Sequence, residues 1–488
     1  MITKFTLRRA FWFVLITFLA GCGTLPQDKT GGAAATSAPS FTPAAVTLHA
    51  LPTIDLARLT PFLLQTSTPL PRDFRTHIAE TRTARPTLTP SPTSALQPPS
   101  CTFPLAHKVI AESKPEEYTF SEPQVVLTAP HGNVYHIAEW LPDNQQILIT
   151  EDLQNGFVET NDNSSQESIS LYNLEKGESK VLAIRQETQG LPSWHLGLNA
   201  VVYPIMHYFD IDRANRTYKL TRQIWVSYGE PDRVHMLADN LPQLSFAIKP
   251  DGTETVYLSD KELYKWDKSL KPLPSVPIDQ DKWDYAKKQR NDIPISYKMA
   301  WQPGTSLIFL YSDGALEGGY TFILDADTGK ICNLNFKGWA LGARWSPDGR
   351  YLAIIRSTVY GFTFSTSNLT LLDTVTGNLT TLTIIPPEVE GLHYIDGLAW
   401  APDNRHLLAI GNIFMPDNTQ IETQNQWLLY LVDVVSGQSI HVEPEYKNFT
   451  SSPDNSLAWS PDGSKLVIHC PTIGVDHICL ISVHTAGK

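Results

Sequence analysis

The C-terminal three-quarters of the chain alternates short apolar runs with tight turns, and one unit recurs along it. Its clearest copies are Leu457 to Ile468, Ala343 to Ile354 and Leu398 to Ala409. In each copy, alternating apolar residues end at a tryptophan, a turn containing Pro-Asp follows, and a second apolar run begins. A period of two is typical of strands with one buried face, and Pro, Asp and Gly favour tight turns. The unit therefore predicts a pair of antiparallel strands.

The tryptophan position of this unit occurs seven times, at spacings of 44 to 59 residues. The seven positions are Trp140, Trp194, Ile248, Trp301, Trp345, Trp400 and Trp459. A third apolar run and a second turn follow, as in Leu371 to Gly377, and a fourth run follows at Leu379 to Ile384. Four antiparallel strands per repeat are typical of a propeller blade. The pattern predicts an all-β fold, a seven-bladed β-propeller with four-stranded antiparallel blades. Six blades, with a degenerate copy absorbed into an insertion, is the alternative.

The two ends of the repeat region predict how the ring closes. The last copy stops after its third apolar run, Ile478 to Val483, and an unassigned apolar run, Gln124 to Thr128, precedes the first copy. We predict that this early run completes the last blade, because pairing there removes a free sheet edge.

The first 22 residues have the pattern of an export signal. Three basic residues within the first nine positions precede the apolar run Ala10 to Ala20, which is short of the roughly 20 residues of a membrane span. The run ends at Leu19-Ala20-Gly21-Cys22, which resembles the lipobox of bacterial lipoproteins. That resemblance implies cleavage before Cys22 and acylation of its thiol, with palmitate among the acyl chains. A plain secretory signal and an uncleaved anchor are the alternatives.

A linker follows the signal. Residues 23 to 100 are rich in Pro, Thr, Ser and Ala, contain twelve prolines and have few aromatic residues, so they have little apolar surface to bury. The sequence thus predicts a lipoprotein signal peptide over 1–21, a disordered Pro/Thr/Ser-rich linker over 22–112 and the propeller over 113–488.

The charge distribution disfavours a nucleic-acid partner. Residues 1 to 100 contain 4 of the 50 acidic and 9 of the 38 basic residues, so the rest carries 46 acids against 29 bases, a net charge of −17. Such a surface repels phosphate backbones.

The Trp-Ser-Pro-Asp-Gly sequences at Trp345 to Gly349 and Trp459 to Gly463 resemble the turn of the WD40-like repeats in the TolB propeller family. The likeness extends over roughly residues 122 to 488. It implies a protein-binding platform in the cell envelope, and related propellers cap hydrolases. This chain departs from TolB in having a signal and linker where TolB has an α/β domain, so TolB's own partners are not carried over.

The long connections on the side opposite the two turn types are the predicted binding region, because function concentrates in loops on a rigid scaffold. They include Met206 to Thr221, Pro386 to Tyr394 and Gly411 to Gln426. Exposed aromatic residues are frequent contact anchors for proteins and sugars. The predicted ligand-binding residues are Trp283, Tyr285, Tyr360, Phe362, Tyr394 and Tyr446. The alternative is that these side chains fill their own loops.

No catalytic residue, metal site or cofactor is predicted. The turn aspartates lie in separate blades and are expected to serve their own turns. Asp210 and Asp212, near Asn215, lack a full calcium-ligand pattern. His131 and His136 are five residues apart, which does not suit a zinc-binding helix. The sequence contains no Gly-x-Ser-x-Gly element of the kind that hydrolases use.

Four cysteines remain beside Cys22, and an oxidising compartment would allow them to pair. Cys470 and Cys479 flank a short connection between neighbouring strands, which predicts a disulfide. Cys101 and Cys332 form a second possible pair, and free buried thiols are the alternative.

These predictions together describe a lipid-anchored binding scaffold of the cell envelope. It would be anchored in the bilayer by acylated Cys22, at the cell membrane or outer membrane, and would face away from the cytoplasm. It would be a monomer that binds an envelope or extracellular protein. The alternative is an extracytoplasmic enzyme acting on glycans or peptides at the propeller's axial funnel.

Overall fold

The structure is a computed structural model, and it describes residues 101, 103–105, 117–130, 133–153, 166–186, 190–212, 217–230, 233–239, 241, 245–259, 261–280, 297–312, 321–334, 338–357, 367–385, 392–415, 424–442, 457–470 and 475–485. The regular elements in these ranges are 29 strands, β1 to β29. Within the same ranges, no helical segment has the length and hydrophobicity of a membrane span.

The strands form seven antiparallel sheets, each the meander of one repeat. Blade 1 contains β3 (Val134–Trp140), β4 (Gln146–Leu153), β5 (Gln166–Asn173) and β6 (Glu178–Gln186). Blade 2 contains β7 (Ser193–His195), β8 (Ala200–Asp212), β9 (Thr217–Ser227) and β10 (Val234–Ala238). Blade 3 contains β11 (Phe246–Ile248), β12 (Glu254–Leu258), β13 (Glu262–Asp267) and β14 (Pro272–Pro277).

The remaining blades follow the same order. Blade 4 contains β15 (Tyr297–Trp301), β16 (Leu307–Ser312), β17 (Thr321–Asp325) and β18 (Ile331–Asn333). Blade 5 contains β19 (Trp339–Trp345), β20 (Tyr351–Ser357), β21 (Ser367–Asp373) and β22 (Asn378–Leu382). Blade 6 contains β23 (Leu392–Trp400), β24 (His406–Met415), β25 (Gln424–Asp433) and β26 (Gln438–His441). Blade 7 contains β27 (Leu457–Trp459), β28 (Lys465–His469) and β29 (His477–Thr485), with β1 (Tyr118–Phe120) and β2 (Gln124–Thr128) beside β29.

The seven-bladed fold predicted from the repeats is confirmed, and the six-bladed alternative is wrong. The degenerate copy around Trp194 forms blade 2, and Ile248 takes the tryptophan position in blade 3. Both copies keep enough alternating apolar residues to form strands. The first has lost Pro and Asp from its turn, whereas the second keeps Pro250-Asp251-Gly252 and lacks only the tryptophan.

The predicted closure by Gln124 to Thr128 is confirmed, since β2 pairs antiparallel with the first half of β29. A second segment that the sequence pattern did not predict, β1, pairs with the last residues of β29. Between the two, the Ser121 amide donates to the Ser482 carbonyl. The fourth strand of blade 7 therefore comes from the N-terminal side of the propeller, as two consecutive pieces.

The first strand of each blade lies on the inside of the ring. Contacts join β3 to β7, β11 to β15, β15 to β19, β19 to β23, β23 to β27 and, across the closure, β27 to β3. The first strands therefore surround the ring axis, and the fourth strands lie at the periphery. Apolar residues on the faces of neighbouring blades pack together, as between blades 5 and 6, where Ile355, Leu369, Ile395 and Leu407 are buried.

Several tryptophans of the repeat join one blade to the blade before it. The indole of Trp140 donates to the Ala458 carbonyl at 2.8 Å, and that of Trp400 donates to the Arg344 carbonyl at 2.9 Å. Trp345 makes the corresponding bond to Ala300. Such a bond contributes about 1 kcal/mol net. The indoles of Trp301 and Trp459 instead donate to the Thr305 and Gly463 carbonyls of their own turns.

Asparagine replaces the turn glycine in blades 1 and 6, and it adds another link between blades. Asn144 and Asn404 have φ angles of 57° and 62°, which asparagine tolerates better than most residues. The Asn404 side-chain oxygen accepts from the Asp348 amide of blade 5, and that of Asn144 accepts from the Asp462 amide of blade 7. The asparagine side chain thus supplies an inter-blade hydrogen bond that glycine lacks.

Two predicted long loops are instead strand hairpins. Backbone pairing continues from Met206 to Asp212 against β9, and from Gly411 to Met415 against β25. Tyr394, expected in a loop, lies within the first strand of blade 6. Apolar and polar residues mix along these stretches, which obscures the period of two that identifies a strand.

Candidate functional site

The ring has two faces, one formed by short turns and the other by the remaining connections between strands. The turns between first and second strands and between third and fourth strands share one face, the turn face. Arg405, after the first turn of blade 6, donates to both carboxylate oxygens of Asp433, before the second turn, at 2.9 and 2.7 Å. These hydrogen bonds hold the pKa of Asp433 at about 2, although burial acts to raise it. The turn face of blade 6 is therefore cross-linked by an ion pair.

The turn aspartates serve their own turns, as predicted. Asp403 accepts from the amides of Arg405 and His406 at 2.9 Å each, and from the His406 ring at 2.6 Å. Asp143 and Asp251 bond in the same way to residues two or three positions later. These carboxylates stabilise the loops and do not form a shared array.

The opposite face, the loop face, carries the connections between second and third strands and between blades. Of the predicted ligand-binding residues, the structure describes Tyr394. The others lie outside the described residues, namely Trp283, Tyr285, Tyr360, Phe362 and Tyr446. Cys22 also lies outside them. These assignments stay predictions.

Tyr394 belongs to a polar group on the inner edge of blade 6. Its backbone partner across the β23–β24 ladder is Asn412, and Asp396 follows two residues later. Burial and the nearby Asp396 carboxylate both raise the pKa of the Tyr394 hydroxyl. Burial raises the pKa of Asp396 to about 7, and a hydrogen bond from the Asn412 side chain opposes that shift. We name Tyr394, Asp396 and Asn412 the axial triad.

Asp396 occupies a β-bulge. The register between β23 and β24 shifts between Ile395 and Gly397, which leaves Asp396 without a partner residue on β24. Bulges re-aim side chains and recur next to functional sites. Because β23 is a first strand, this bulge lies beside the ring axis.

A second carboxylate with a raised pKa lies on the first strand of blade 1. Burial raises the pKa of Glu139 to about 7, against the hydrogen bond from the Trp194 amide and the charge of Arg344. The bond to Trp194 ties blade 1 to blade 2, so Glu139 has a structural partner that Asp396 Oδ2 lacks.

The junction of blades 7 and 1 holds a third ionisable group near the loop face. Asp476 accepts from the His469 ring and from the Tyr135 amide, which belong to blades 7 and 1 respectively. Burial, with Glu151 and Asp476, raises the pKa of the Tyr135 hydroxyl. Every carboxylate oxygen of Asp476 has a partner, so we interpret this group as part of the ring closure.

Metal binding finds no support in the part of the chain that the structure describes, where no three His, Cys, Asp or Glu side chains gather. The side chains of Asp210, Asp212 and Asn215, and all of His131, lie outside it. His136 pairs with Asp152 at 3.4 Å. Burial acts to lower the pKa of His136, but the hydrogen bond and charge of Asp152, together with the charges of Glu167 and Asp476, raise it.

Both cysteine pairs are disulfides in the structure. Cys470–Cys479 joins β29 to the end of β28 near the loop face. Cys101–Cys332 attaches the segment before the propeller to β18. That segment also packs on the turn face, because Leu105 is buried against blades 4 and 5 and its carbonyl accepts from Gln302.

No protein-family profile and no curated protein sequence matches the chain. Among solved structures, it is similar to the crystal structure of the β-propeller domain of Cps50 (Swd1) from Myceliophteria thermophila. The sequence identity is 12%, the match covers 76% of this chain and 100% of that chain, and the TM-score is 0.43. The pairing of the strands into seven antiparallel sheets shows that the part of the chain the structure describes is a seven-bladed β-propeller.

Proposed function

We propose that this protein is a lipid-anchored binding scaffold of the bacterial cell envelope, related to TolB-like propellers, whose ring binds an envelope or extracellular protein. The observation that carries the proposal is the Leu19-Ala20-Gly21-Cys22 sequence at the end of a short apolar run. The propeller fold is widely used as an interaction scaffold, although a fold alone does not define a function.

The disulfides support export. Disulfides persist in oxidising compartments and are rare in the cytosol. Cys101–Cys332 and Cys470–Cys479 together take up the four cysteines other than Cys22. A chain with every cysteine either paired or placed in a lipobox fits an extracytoplasmic protein.

The attachment of the N-terminal segment favours the loop face for partner binding. Cys332 lies three residues after Gly329, which ends the second turn of blade 4, so the disulfide joins the chain to the propeller near the turn face. A tether fixed there leaves the loop face and the inner edge free of its own attachment point. The axial triad lies on that inner edge.

The anchor is tested by metabolic labelling with radioactive or clickable palmitate in a bacterial host. We expect label in the wild type and none in Cys22→Ser, with Cys470→Ser as the matched control that keeps the label. Equal labelling of wild type and Cys22→Ser would overturn the lipid anchor.

The scaffold function is tested by crosslinking and affinity purification from detergent-solubilised envelope. We expect a defined partner protein that is lost in Trp283→Ala with Tyr360→Ala, and kept in Asp251→Asn, an exposed turn-face change. An identical partner list for both variants, with folding intact by circular dichroism, would remove the loop face as the binding surface.

An extracytoplasmic enzyme is the second candidate function, favoured by Asp396. A carboxyl group whose pKa burial raises to about 7 suits a general acid at neutral pH. Glycoside hydrolysis needs a second carboxylate about 5 to 10 Å away, and Glu139 is committed to Trp194 and Arg344. Screening of peptidoglycan, glycan and peptide substrates with wild type and Asp396→Asn tests this alternative, and turnover retained by the variant would exclude Asp396 as its acid.

A further inference from the structure

The residue at the blade 6 bulge departs from its counterpart in blade 5. The sequence Leu341-Gly342 lies four and three residues before Trp345, and Asp396-Gly397 lies at the same distances before Trp400. Both pairs stand at the same register shift between first and second strands. Leu341 packs against the apolar cluster between blades 5 and 6. The bulge is thus compatible with an apolar side chain, and the fold by itself does not call for the carboxylate.

The carboxylate brings a cost that the protein leaves uncompensated. The Asn412 side chain hydrogen-bonds to Asp396, yet Asp396 Oδ2 and Asn412 Oδ1 are both buried and have no hydrogen-bond partner in the structure. A buried acceptor without a donor costs about 1 to 3 kcal/mol. Two such oxygens in one hydrogen-bonded pair are unusual, because most buried polar atoms are satisfied.

The charged residues on the neighbouring strands have other roles. On β19, Arg344 donates to the Ala343 carbonyl and acts on Glu139. On β20, Arg356 is a buried guanidinium, and burial lowers its pKa. The influences on Asp396 are burial and the Asn412 bond, so none of the described arginines neutralises it.

The charged groups nearer the turn face are paired with one another. On β21, Asp373 bonds to Arg350 at 3.2 Å, and on β24, His406 bonds to Asp403 at 2.6 Å. The described strand β27, Leu457–Trp459, carries no charged residue. On β23 itself, His393 and Tyr394 are the remaining titratable groups.

We propose that the axial triad is a binding site for an organic cation, the ammonium or guanidinium group of a lysine- or arginine-like side chain. Such a group donates several hydrogen bonds and would satisfy Asp396 Oδ2 and Asn412 Oδ1 together. Tyr394 pairs directly with Asn412 across the ladder, so its side chain shares a sheet face with that of Asn412 and would be a further neighbour of the cation. The net charge of −17 on the chain from Cys101 onward attracts cationic ligands.

A calcium ion suits the triad less well. Calcium takes six to eight oxygen ligands, whereas the triad offers one unpartnered carboxylate oxygen and one amide oxygen. The proposal deepens the scaffold function, on which it rests for the protein nature of the ligand, because it names the side-chain class that a partner would insert.

The test uses the purified full chain in detergent and isothermal titration calorimetry with agmatine, which carries a guanidinium and an ammonium group. A ligand of this size is expected to bind with a dissociation constant of about 1 mM. We expect at least a tenfold loss in Asp396→Asn and a clear loss in Asn412→Ala. Asp251→Asn removes the same charge from an exposed turn and should bind within twofold of wild type.

Two results would overturn the axial site: no agmatine binding by the wild type, or equal binding by wild type and Asp396→Asn. Tighter binding of calcium than of agmatine, lost in Asp396→Asn, would also overturn it in favour of a metal. Thermal unfolding of each variant checks that lost binding is not lost folding. Palmitate labelling and partner capture fail or succeed independently, so failure of this site leaves the anchor and scaffold proposals to be judged by their own experiments.

Discussion

Asp396→Asn should stabilise the propeller at alkaline pH and leave its stability unchanged in acid. Burial raises the pKa of Asp396 from 3.8 to about 7 in the folded chain. Below pH 3.8 the carboxyl group is protonated in the folded and in the unfolded chain, so it causes no difference in stability between wild type and variant. Between pH 3.8 and about 7 the unfolded chain loses the proton first, so the free energy of unfolding falls as the pH rises. Above about 7 the penalty is constant. Asparagine has no such proton and no such penalty.

The magnitude follows from the pKa shift. A pKa raised from 3.8 to about 7 limits the penalty for ionising Asp396 in the folded chain to about 4 kcal/mol. Asp396 is half-buried, and partial access of water reduces this figure to about 2 to 3 kcal/mol.

Thermal unfolding followed by tryptophan fluorescence at pH 4, 6 and 8 measures this effect. We expect coincident midpoints for wild type and Asp396→Asn at pH 4, and a midpoint about 5 °C higher for the variant at pH 8. The repeat tryptophans are distributed around the ring, so the signal reports on the whole propeller.

Asp433→Asn is the matched control with the opposite sign. Hydrogen bonds from Arg405 and its own turn hold the pKa of Asp433 at about 2, so its carboxylate stabilises the fold above pH 3.8, and that contribution fades as the pH falls toward 2. The control should therefore be destabilised at pH 8. A difference between wild type and Asp396→Asn that does not change with pH, or a variant less stable at pH 8, would refute the assignment of Asp396 as a buried, uncompensated acid.

Three other changes test the links that hold the ring together. Asn404→Gly keeps the positive φ but removes the bond to the Asp348 amide, so it should cost about 1 kcal/mol in urea unfolding; an unchanged midpoint would contradict this role. Tyr118→Ala removes edge-on contacts to the Trp459 ring at 5.3 Å and should speed amide hydrogen exchange in β29, whereas Val125→Ala, exposed in the same blade, should not. Cys332→Ser opens a disulfide spanning 231 residues and should cost about 2 to 4 kcal/mol, with faster proteolysis before β1; unaltered proteolysis would show that the segment is held without it.

The repeat could be predicted from the sequence because each copy combines two independent signals. Apolar alternation locates the strands, and a turn containing Pro with Asp or Gly locates the connection in six copies. The copy around Trp194 keeps only Gly197 of that turn. The closing strand β2 was predictable for the same reason, since it is an apolar run with no partner in its own repeat. Strand β1 was not, because three residues, Tyr118 to Phe120, are too few to show a period.

The axial triad could not be predicted, because its properties arise from packing between blades. From the sequence, Tyr394 is expected at the end of the long connection that begins at Pro386, and Asp396 precedes a glycine, which is typical of a turn. The raised pKa of Asp396 depends on its burial in the assembled ring, and Asn412 lies 16 residues away on the next strand. The signal that could have found it was the comparison of Asp396-Gly397 with Leu341-Gly342 across the repeats.

The strands β1 and β2 have a consequence for how the polypeptide is made. Because β1 and β2 pair with β29, the first strands of the ring to be synthesised stay unpaired until the last strand is made. A ribosome reaches β29 only after six complete sheets have emerged. A product that terminates before β29 would therefore leave two strand edges without hydrogen-bond partners, one on β28 and one on β2. Those exposed edges would distinguish it from the finished molecule for a quality-control protease.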